Sequence, residues 1–304
     1  MAMLSHRQGW SLAVVLSIFP YVFSAGSTSD LPSATLRTGT AEVRISFFAT
    51  DENDRLIQTL GRDDFAVVDS EAVIRDFRSV SHSSEIPLDV VLLVDASESV
   101  APRFRAMMED VSRFASGHST TSSDRVSVFT FAGLRGSTIL CEDDCATPGA
   151  REKLLAVKPG GATPLFDALS EVAEFATRRQ RPDVRQILIL LSDGNDTISG
   201  NSPREAVDAI VASGAPLYTI NLNPSLQLGG RNMPLNTMAE LTGGRSLSLQ
   251  GGILKAFDSV LNDQRAAYIV TYALPSHVAG FHSLCILPKH NLNLRFHCRR
   301  GYYL

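Results

Sequence analysis

The sequence predicts an α/β protein: a doubly wound, mostly parallel sheet, with a small discontinuous β-sandwich-like domain drawn from both ends of the chain. Three observations predict it. Val90 to Val94 and Gln186 to Leu191 are apolar runs without polar alternation, as strands covered on both faces read. Such strands alternate with stretches of helical spacing from residue 88 to residue 265, which demands helices on both faces of a sheet. On either side, in residues 41–86 and 267–304, a period of two returns and no helical spacing of useful length is found.

The 304 residues carry 28 basic and 32 acidic side chains, a formal net charge of −4, with 44% hydrophobic and 20% charged residues. That composition excludes a disordered chain and argues against a nucleic-acid partner, which calls for a basic face. Residues 1–26 have the layout of a signal peptide: His6 and Arg7, an apolar run from Ser11 to Phe23, then Ser24, Ala25 and Gly26. The run is shorter than the about 20 apolar residues of a membrane span, so no membrane span is expected in the mature chain. The expectation is an exported protein, whether periplasmic, cell-envelope or secreted.

The elements follow in order. Residues 27–40, rich in Ser, Thr and Gly, read as a linker. Val43, Ile45 and Phe47 alternate with Arg44, Ser46 and Phe48 as a strand; Phe65–Val68 and Val73–Phe77 are two more. After the strand at Val90–Val94, Phe104, Met107, Met108, Val111 and Phe114 give residues 102–116 a helical stripe. Strands are expected at Arg125–Phe131 and Ser137–Leu140, a short helical turn at Lys153–Val157, and a helix at Leu165–Thr177. Then come the strand Gln186–Leu191, helix Arg204–Ala212, strand Pro216–Leu222, helix Leu235–Leu241, strand Arg245–Leu249 and helix Ile253–Arg265. Strands at Tyr268–Tyr272, Phe281–Leu287 and Leu292–Cys298 close the chain.

In an exported protein four cysteines suggest two bridges. Cys141 and Cys145 bracket an acidic loop, and Cys285 and Cys298 flank a turn-like Pro288-Lys289-His290-Asn291. Cys141–Cys145 and Cys285–Cys298 are the expected pairs. Zinc on His282, Cys285, His297 and Cys298 is disfavoured, because neighbours of odd separation on a strand face opposite ways. Glu142, Asp143 and Asp144 read as a solvated loop rather than a Ca²⁺ site, and Asp196 as a loop acid rather than a second acid behind the site described next.

Three segments carry chemistry. The strand Val90–Val94 ends in Asp95-Ala96-Ser97-Glu98-Ser99. Gly160-Gly161-Ala162-Thr163-Pro164 opens a helix, with Thr163 at its N-terminus. The strand Ile189–Leu191 runs into Ser192-Asp193-Gly194. Parallel strands end at one edge of a sheet, where doubly wound folds bind ligands. Asp95, Ser97, Ser99, Thr163 and Asp193 thus offer carboxylate and hydroxyl oxygens, the hard donors that Mg²⁺ prefers. The same residue types also serve as ordinary helix caps and turns.

These segments resemble the metal-ion-dependent adhesion site of the von Willebrand factor type A domain family: Asp-x-Ser-x-Ser, then a Thr in a Gly-Thr-Pro-like turn, then an Asp after a later strand. The resemblance covers roughly residues 88–265 and implies that family's Rossmann-like fold. Outside it, the Val-Arg-Ile-Ser stretch, Gly61-Arg62-Asp63-Asp64-Phe65 and Arg299-Arg300-Gly301-Tyr302-Tyr303 look like the von Willebrand factor A-related proteins abundant in Acidobacteria. The resemblance implies that Ser97 and Ser99 hold a divalent cation directly: Mg²⁺, or another such as Mn²⁺ or Ca²⁺. Asp95, Asp193 and Thr163 would hold it directly or through water. One coordination position would be left for an Asp or Glu carboxylate of a protein partner. Glu98 stands where the family often has glycine and adds negative charge beside the site.

Three function classes follow: an adhesion-type protein-binding module, a structural envelope protein whose metal only holds loops, and a metallo-hydrolase. The last needs a general base. No histidine lies between His118 and His277, and neither His-Glu-x-x-His nor Gly-x-Ser-x-Gly occurs. A non-enzymatic binding module is the expectation.

Overall fold

A computed structural model describes residues 42–117, 121, 123–222 and 234–304. The expected signal peptide, 1–26, and linker, 27–40, lie outside them. All described residues belong to one compact unit.

In chain order the strands are β1 (Glu42–Thr50), β2 (Phe65–Asp69), β3 (Ala72–Ile74), β4 (Ser79–His82), β5 (Leu88–Asp95), β6 (Arg125–Ala132), β7 (Arg135–Glu142), β8 (Arg185–Ser192), β9 (Leu217–Asn221), β10 (Ser246–Leu247), β11 (Tyr268–Ala273), β12 (Phe281–Pro288), β13 (Arg295–Cys298) and β14 (Gly301–Tyr303). The helices are α1 (Ala101–Ala115), α2 (Pro148–Ala156), α3 (Leu165–Arg178), α4 (Pro203–Ser213), α5 (Leu235–Thr242) and α6 (Ile253–Arg265). A single 3₁₀ turn, Glu98–Val100, leads into α1.

The central sheet has the order β10-β9-β8-β5-β6-β7. All neighbours in it are parallel except β6 and β7. Every residue of β5 is buried. Val90, Leu92 and Val94 pack on one face with Phe104, Met107, Val111, Phe257 and Val260 of α1 and α6. Val91 and Leu93 pack on the other with Leu169, Val172, Val207 and Ile210 of α3 and α4. Helices on both faces are the physical reason for the unalternating apolar run.

The terminal segments build two four-stranded sheets, β13-β1-β11-β4 and β14-β12-β2-β3. β1 pairs antiparallel with β11, and β2 with β12, so residues from before and after the α/β core share ladders. Val43, Ile45, Phe47, Phe65, Val67, Val270, Tyr272 and Ile286 fill the space between the sheets. β7 runs back from the metal-motif edge, so Cys141 pairs with Val128 near the start of β6, away from Ser97.

Several expectations are corrected. The turn read at Lys153–Val157 is the end of the nine-residue α2, whose N-cap Thr147 accepts a hydrogen bond from the Ala150 N–H at 3.2 Å. The strand read at Val73–Phe77 ends at Ile74 as β3, and a separate strand, β4, follows after a break. Cys141 and Cys145 are bonded, but Cys285 and Cys298 are free thiols. Their strands do not form the expected hairpin: β12 pairs with β2 and β14, while β13 pairs with β1 in the other sheet. The turn between them carries the chain across the sandwich, and Cys285 faces outward from β12 while Cys298 packs on the core.

Candidate metal centre

β5 and β8 deliver Asp95 and Ser192 side by side at one edge of the sheet. Asp95 is fully buried. Its Oδ1 accepts the Ser97 N–H at 2.9 Å, and its Oδ2 accepts the Ser192 hydroxyl at 2.7 Å. The first bond folds the loop back over the carboxylate and brings Ser97 Oγ within 3.1 Å of Ser99 Oγ. Asp193, also buried, accepts the Asn195 N–H at 3.1 Å, and the Ser192 hydroxyl accepts the Gly194 N–H at 3.0 Å.

The Thr163 loop is tied to its neighbours by backbone bonds. Gly160 N–H reaches Ala96 O at 2.8 Å, Glu98 N–H reaches Gly161 O at 3.2 Å, and Gly133 N–H reaches Ala162 O at 2.8 Å. Gly161 has φ +87°, and a Cβ there would stand 3.1 Å from Gly133 Cα, so this close approach requires glycine. Thr163 donates its N–H to Thr197 Oγ1 at 2.7 Å, and its carbonyl accepts the Thr197 N–H at 2.9 Å. All five residues expected at the site therefore lie on three mutually bonded loops at one edge. Asp95, Ser97, Thr163 and Asp193 are almost wholly withdrawn from solvent.

The electrostatics fit a cation. Burial pushes the Asp95 carboxyl above its ordinary range and the charge of Asp193 adds to that, while hydrogen bonds from Ser192 and Ser97 oppose it. Both partners of Asp95 are neutral, and among the described residues no basic side chain is paired with Asp95 or Asp193. Two buried carboxylates without a counter-charge are costly, and a divalent ion held by them and by the three hydroxyls removes that cost. The donor set is poor in nitrogen and sulfur: among the described residues no group of three or more His, Cys, Asp or Glu is placed to hold a metal. The candidate centre offers instead two carboxylates with Ser and Thr hydroxyls, and among the described residues the zinc arrangement at His282, Cys285, His297 and Cys298 is absent.

Ser192 was missed in the sequence. Its signal was its place at the end of β8, directly before Asp193, where it orients Asp95. Asp196 is not a free loop acid: its Oδ1 accepts the Leu165 N–H at 2.9 Å and the Ser199 hydroxyl at 2.5 Å, capping α3 two residues after Thr163. Glu142 and Asp143 are not merely solvated, since both pair with Arg179, Asp143 at 2.7 Å. No described helix is long and apolar enough to cross a membrane.

The family model of the von Willebrand factor type A domain matches residues 89–247. No curated protein matches the chain. Among solved structures, the manganese-loaded TRAP protein of Plasmodium vivax is 16% identical, with 79% of this chain and 100% of that one covered and a TM-score of 0.43. A von Willebrand factor type A structure from Catenulispora acidiphila is 11% identical, with 88% and 75% covered and a TM-score of 0.44. Proximal thread matrix protein 1 of the mussel byssus is 17% identical, with 60% of this chain covered and a TM-score of 0.42. The chain spans 48% of that mussel protein's length.

Proposed function

The chain belongs to the von Willebrand factor type A domain family, and on that footing we propose that it is an exported, non-enzymatic protein-binding module whose contact with its partner runs through a divalent cation. The observation that carries the reading is the pair of buried carboxylates, Asp95 and Asp193, with neutral partners only. Ser97, Ser99 and Thr163 complete the oxygen set. A cation bound there supplies a positive centre able to take one further oxygen ligand, and a partner's Asp or Glu carboxylate matches that need in charge and hardness. The protein's own part is positional: Ser192 and the Ser97 N–H fix Asp95, and the Gly160–Ala162 backbone fixes Thr163. Mg²⁺ is the preferred ion on the chemistry of this donor set, with Mn²⁺ and Ca²⁺ as competitors. The flanking segments support placing the chain near the Acidobacterial von Willebrand factor A-related proteins, and residues 1–26 support a periplasmic, cell-envelope or secreted location.

The test begins with melting curves in EDTA and in millimolar Mg²⁺. Mg²⁺ that binds only the folded chain raises the melting temperature; coincident curves would sink the site. Capture of partners from an envelope fraction then separates a binding module from a structural protein. Mg²⁺-dependent capture that is lost with Asp193→Asn supports the module, and a melting response without such capture leaves the ion only a loop-holding role.

A further inference from the structure

The opposite edge of the central sheet carries a cleft of about 1080 Å³ with the reverse electrostatic character. β8 and β9 begin there, and the sheet β13-β1-β11-β4 faces them. Alternation along β1 sends Val43, Ile45 and Phe47 into the sandwich core and leaves Glu42, Arg44 and Ser46 outside. The ladders set Thr271 beside Arg44, Ile269 beside Ser46, and Ser79 and Ser81 beside those two on β4. A face dominated by hydroxyls and charges does not interdigitate with the base of the α/β core as an apolar face would, and the cleft remains between them.

Four arginines from three separate places line this cleft: Arg44 of β1, Arg181 and Arg185 where α3 leads into β8, and Arg299 after β13. Among the described residues none of them has a carboxylate within 4.0 Å. Glu42, the single acidic side chain in the lining, is taken by Arg78. The hydrogen bonds that the arginines do make go to neutral oxygens. Arg44 Nη1 donates to Pro182 O at 3.0 Å, and Arg299 Nη2 to Arg44 O at 3.4 Å. Arg185 is 9% exposed; its Nη1 and Nη2 donate to Gln264 Oε1 and O at 2.9 and 2.5 Å, and its Nε has no partner. Gly214, at φ +72°, leaves the wall open: a Cβ there would meet Arg299 Nη1 at 3.3 Å and Gln180 Nε2 at 3.7 Å.

Neutral carbonyls orient the guanidinium groups without forming an ion pair, and Asp124 and Asp69 act on Arg185 and Arg299 only from beyond ion-pair distance. Burial lowers Arg185 to about 10, and the like charge of Arg44 acts in the same direction. Burial lowers Arg299 as well. Favourable interaction with the C-terminal dipole of α3 accounts for Arg178 and Arg179, but those two are already ion-paired with Glu174, Asp89, Glu142 and Asp143. It does not account for Arg44 or Arg299, which come from the sandwich strands and their connection. The guanidinium fork suits oxyanions.

We propose that this cleft is an oxyanion-binding site, distinct from the metal edge, that takes a phosphate or carboxylate group between Arg44, Arg181 and Arg299, with Arg185 as the buried charge behind them. Calorimetric titration of the full chain with inorganic phosphate and, separately, with citrate tests it, at ionic strength matched with KCl and after divalent cations have been removed on a chelating resin. Because no divalent cation is present, failure here leaves the metal reading untouched. Saturable binding of either probe, weakened at least tenfold by Arg44→Ala, is the expected result. Phosphate alone assigns a phosphate ligand, citrate alone a polycarboxylate, and both a general oxyanion site. Arg44 is exposed, so its truncation tests binding without threatening the fold; Arg299→Gln adds a second arm where its melting curve stays cooperative. Absence of saturable binding for both probes, or equal affinity in the wild type and Arg44→Ala, overturns the proposal.

Discussion

The two edges of the central sheet are built from the same strands and have opposite needs. At the edge where β5 and β8 end, Asp95 and Asp193 are buried beside neutral hydroxyls and amides. At the edge where β8 and β9 begin, Arg185 is buried against neutral oxygens while Arg44, Arg181 and Arg299 stand around a cleft. The first edge is closed by three loops bonded backbone to backbone. The second is closed by a sheet whose hydroxyl-rich face leaves space. Strand direction explains the division. In a parallel sheet all strand-to-helix loops fall at one edge, so the acidic ligand loops collect there, while both chain connections to the sandwich leave from the other. The charge left without an ion-pair partner at each edge would then set the sign of any ligand.

The largest expected effect comes from removing one charge at the metal edge. Asp193→Asn keeps the shape and an acceptor for the Asn195 N–H while halving the buried negative charge. In EDTA the variant should melt at or above the wild type, because the repulsion with Asp95 is relieved. At an Mg²⁺ concentration a thousand times the dissociation constant the wild type gains about 4 kcal/mol, and the variant should gain little. A variant that loses stability in EDTA and still responds to Mg²⁺ would break the contrast between the edges.

The next effect is a pH response at the arginine edge. His297, in the cleft lining, stacks on Phe48 with ring centroids 4.4 Å apart, and its Nε2 lies 3.1 Å from Thr50 Oγ1. Burial first, and then the charge of Arg245, lowers it from 6.5 to about 4. The unfolded chain takes up this proton below pH 6.5, whereas the folded chain takes it up only near pH 4. The contribution is therefore complete above pH 6.5 and is lost as pH falls toward 4, by about 3 kcal/mol at most. Asp263, raised by burial from 3.8 to about 6, works in the opposite direction between those values. The decisive measurement is thus the difference between the wild type and His297→Gln, which should narrow steadily as pH falls from 6.5 to 4. Parallel stability curves across that window would refute it.

Legibility in the sequence divides along the same line. The meeting of the oxygen-bearing segments at one edge was readable because 95–99, 160–164 and 193–194 are short and each lies at the end of an apolar strand or the start of a helix. Only Ser192 escaped: its place directly before Asp193 was visible, but its bond to Asp95 on the neighbouring strand was not. The arginine edge was not readable, since Arg44, Arg181, Arg185 and Arg299 converge only through the sandwich ladders. Locally weak signals failed as well. α2 buries only Ala150 and Leu154, so its stripe is thin and its start is written in Thr147-Pro148. The Cys285–Cys298 expectation assumed that strands flanking a turn pair with each other. Alternation within each strand was read correctly, but which sheet each strand joins is decided by its packing on Phe47, Phe65 and Tyr272.

The smallest effect concerns the Cys141–Cys145 bridge, and it tests whether the two edges are independent. The bridge closes a short acidic loop that β7 places at the start of β6. For a ring of about five residues the chain-entropy account gives about 2 kcal/mol. Less is expected here, because Arg179 pairs with Glu142 and Asp143 and Cys145 packs against the Val126 carbonyl, so the loop stays partly held after reduction. Reductant should therefore lower the melting temperature by a few degrees. The increment on adding Mg²⁺ should be the same with and without it, because β7 separates the bridge from Asp95 by the length of a strand. An Mg²⁺ increment that shrinks on reduction would show that the loop supports the metal edge, and the division between the two edges would have to be redrawn.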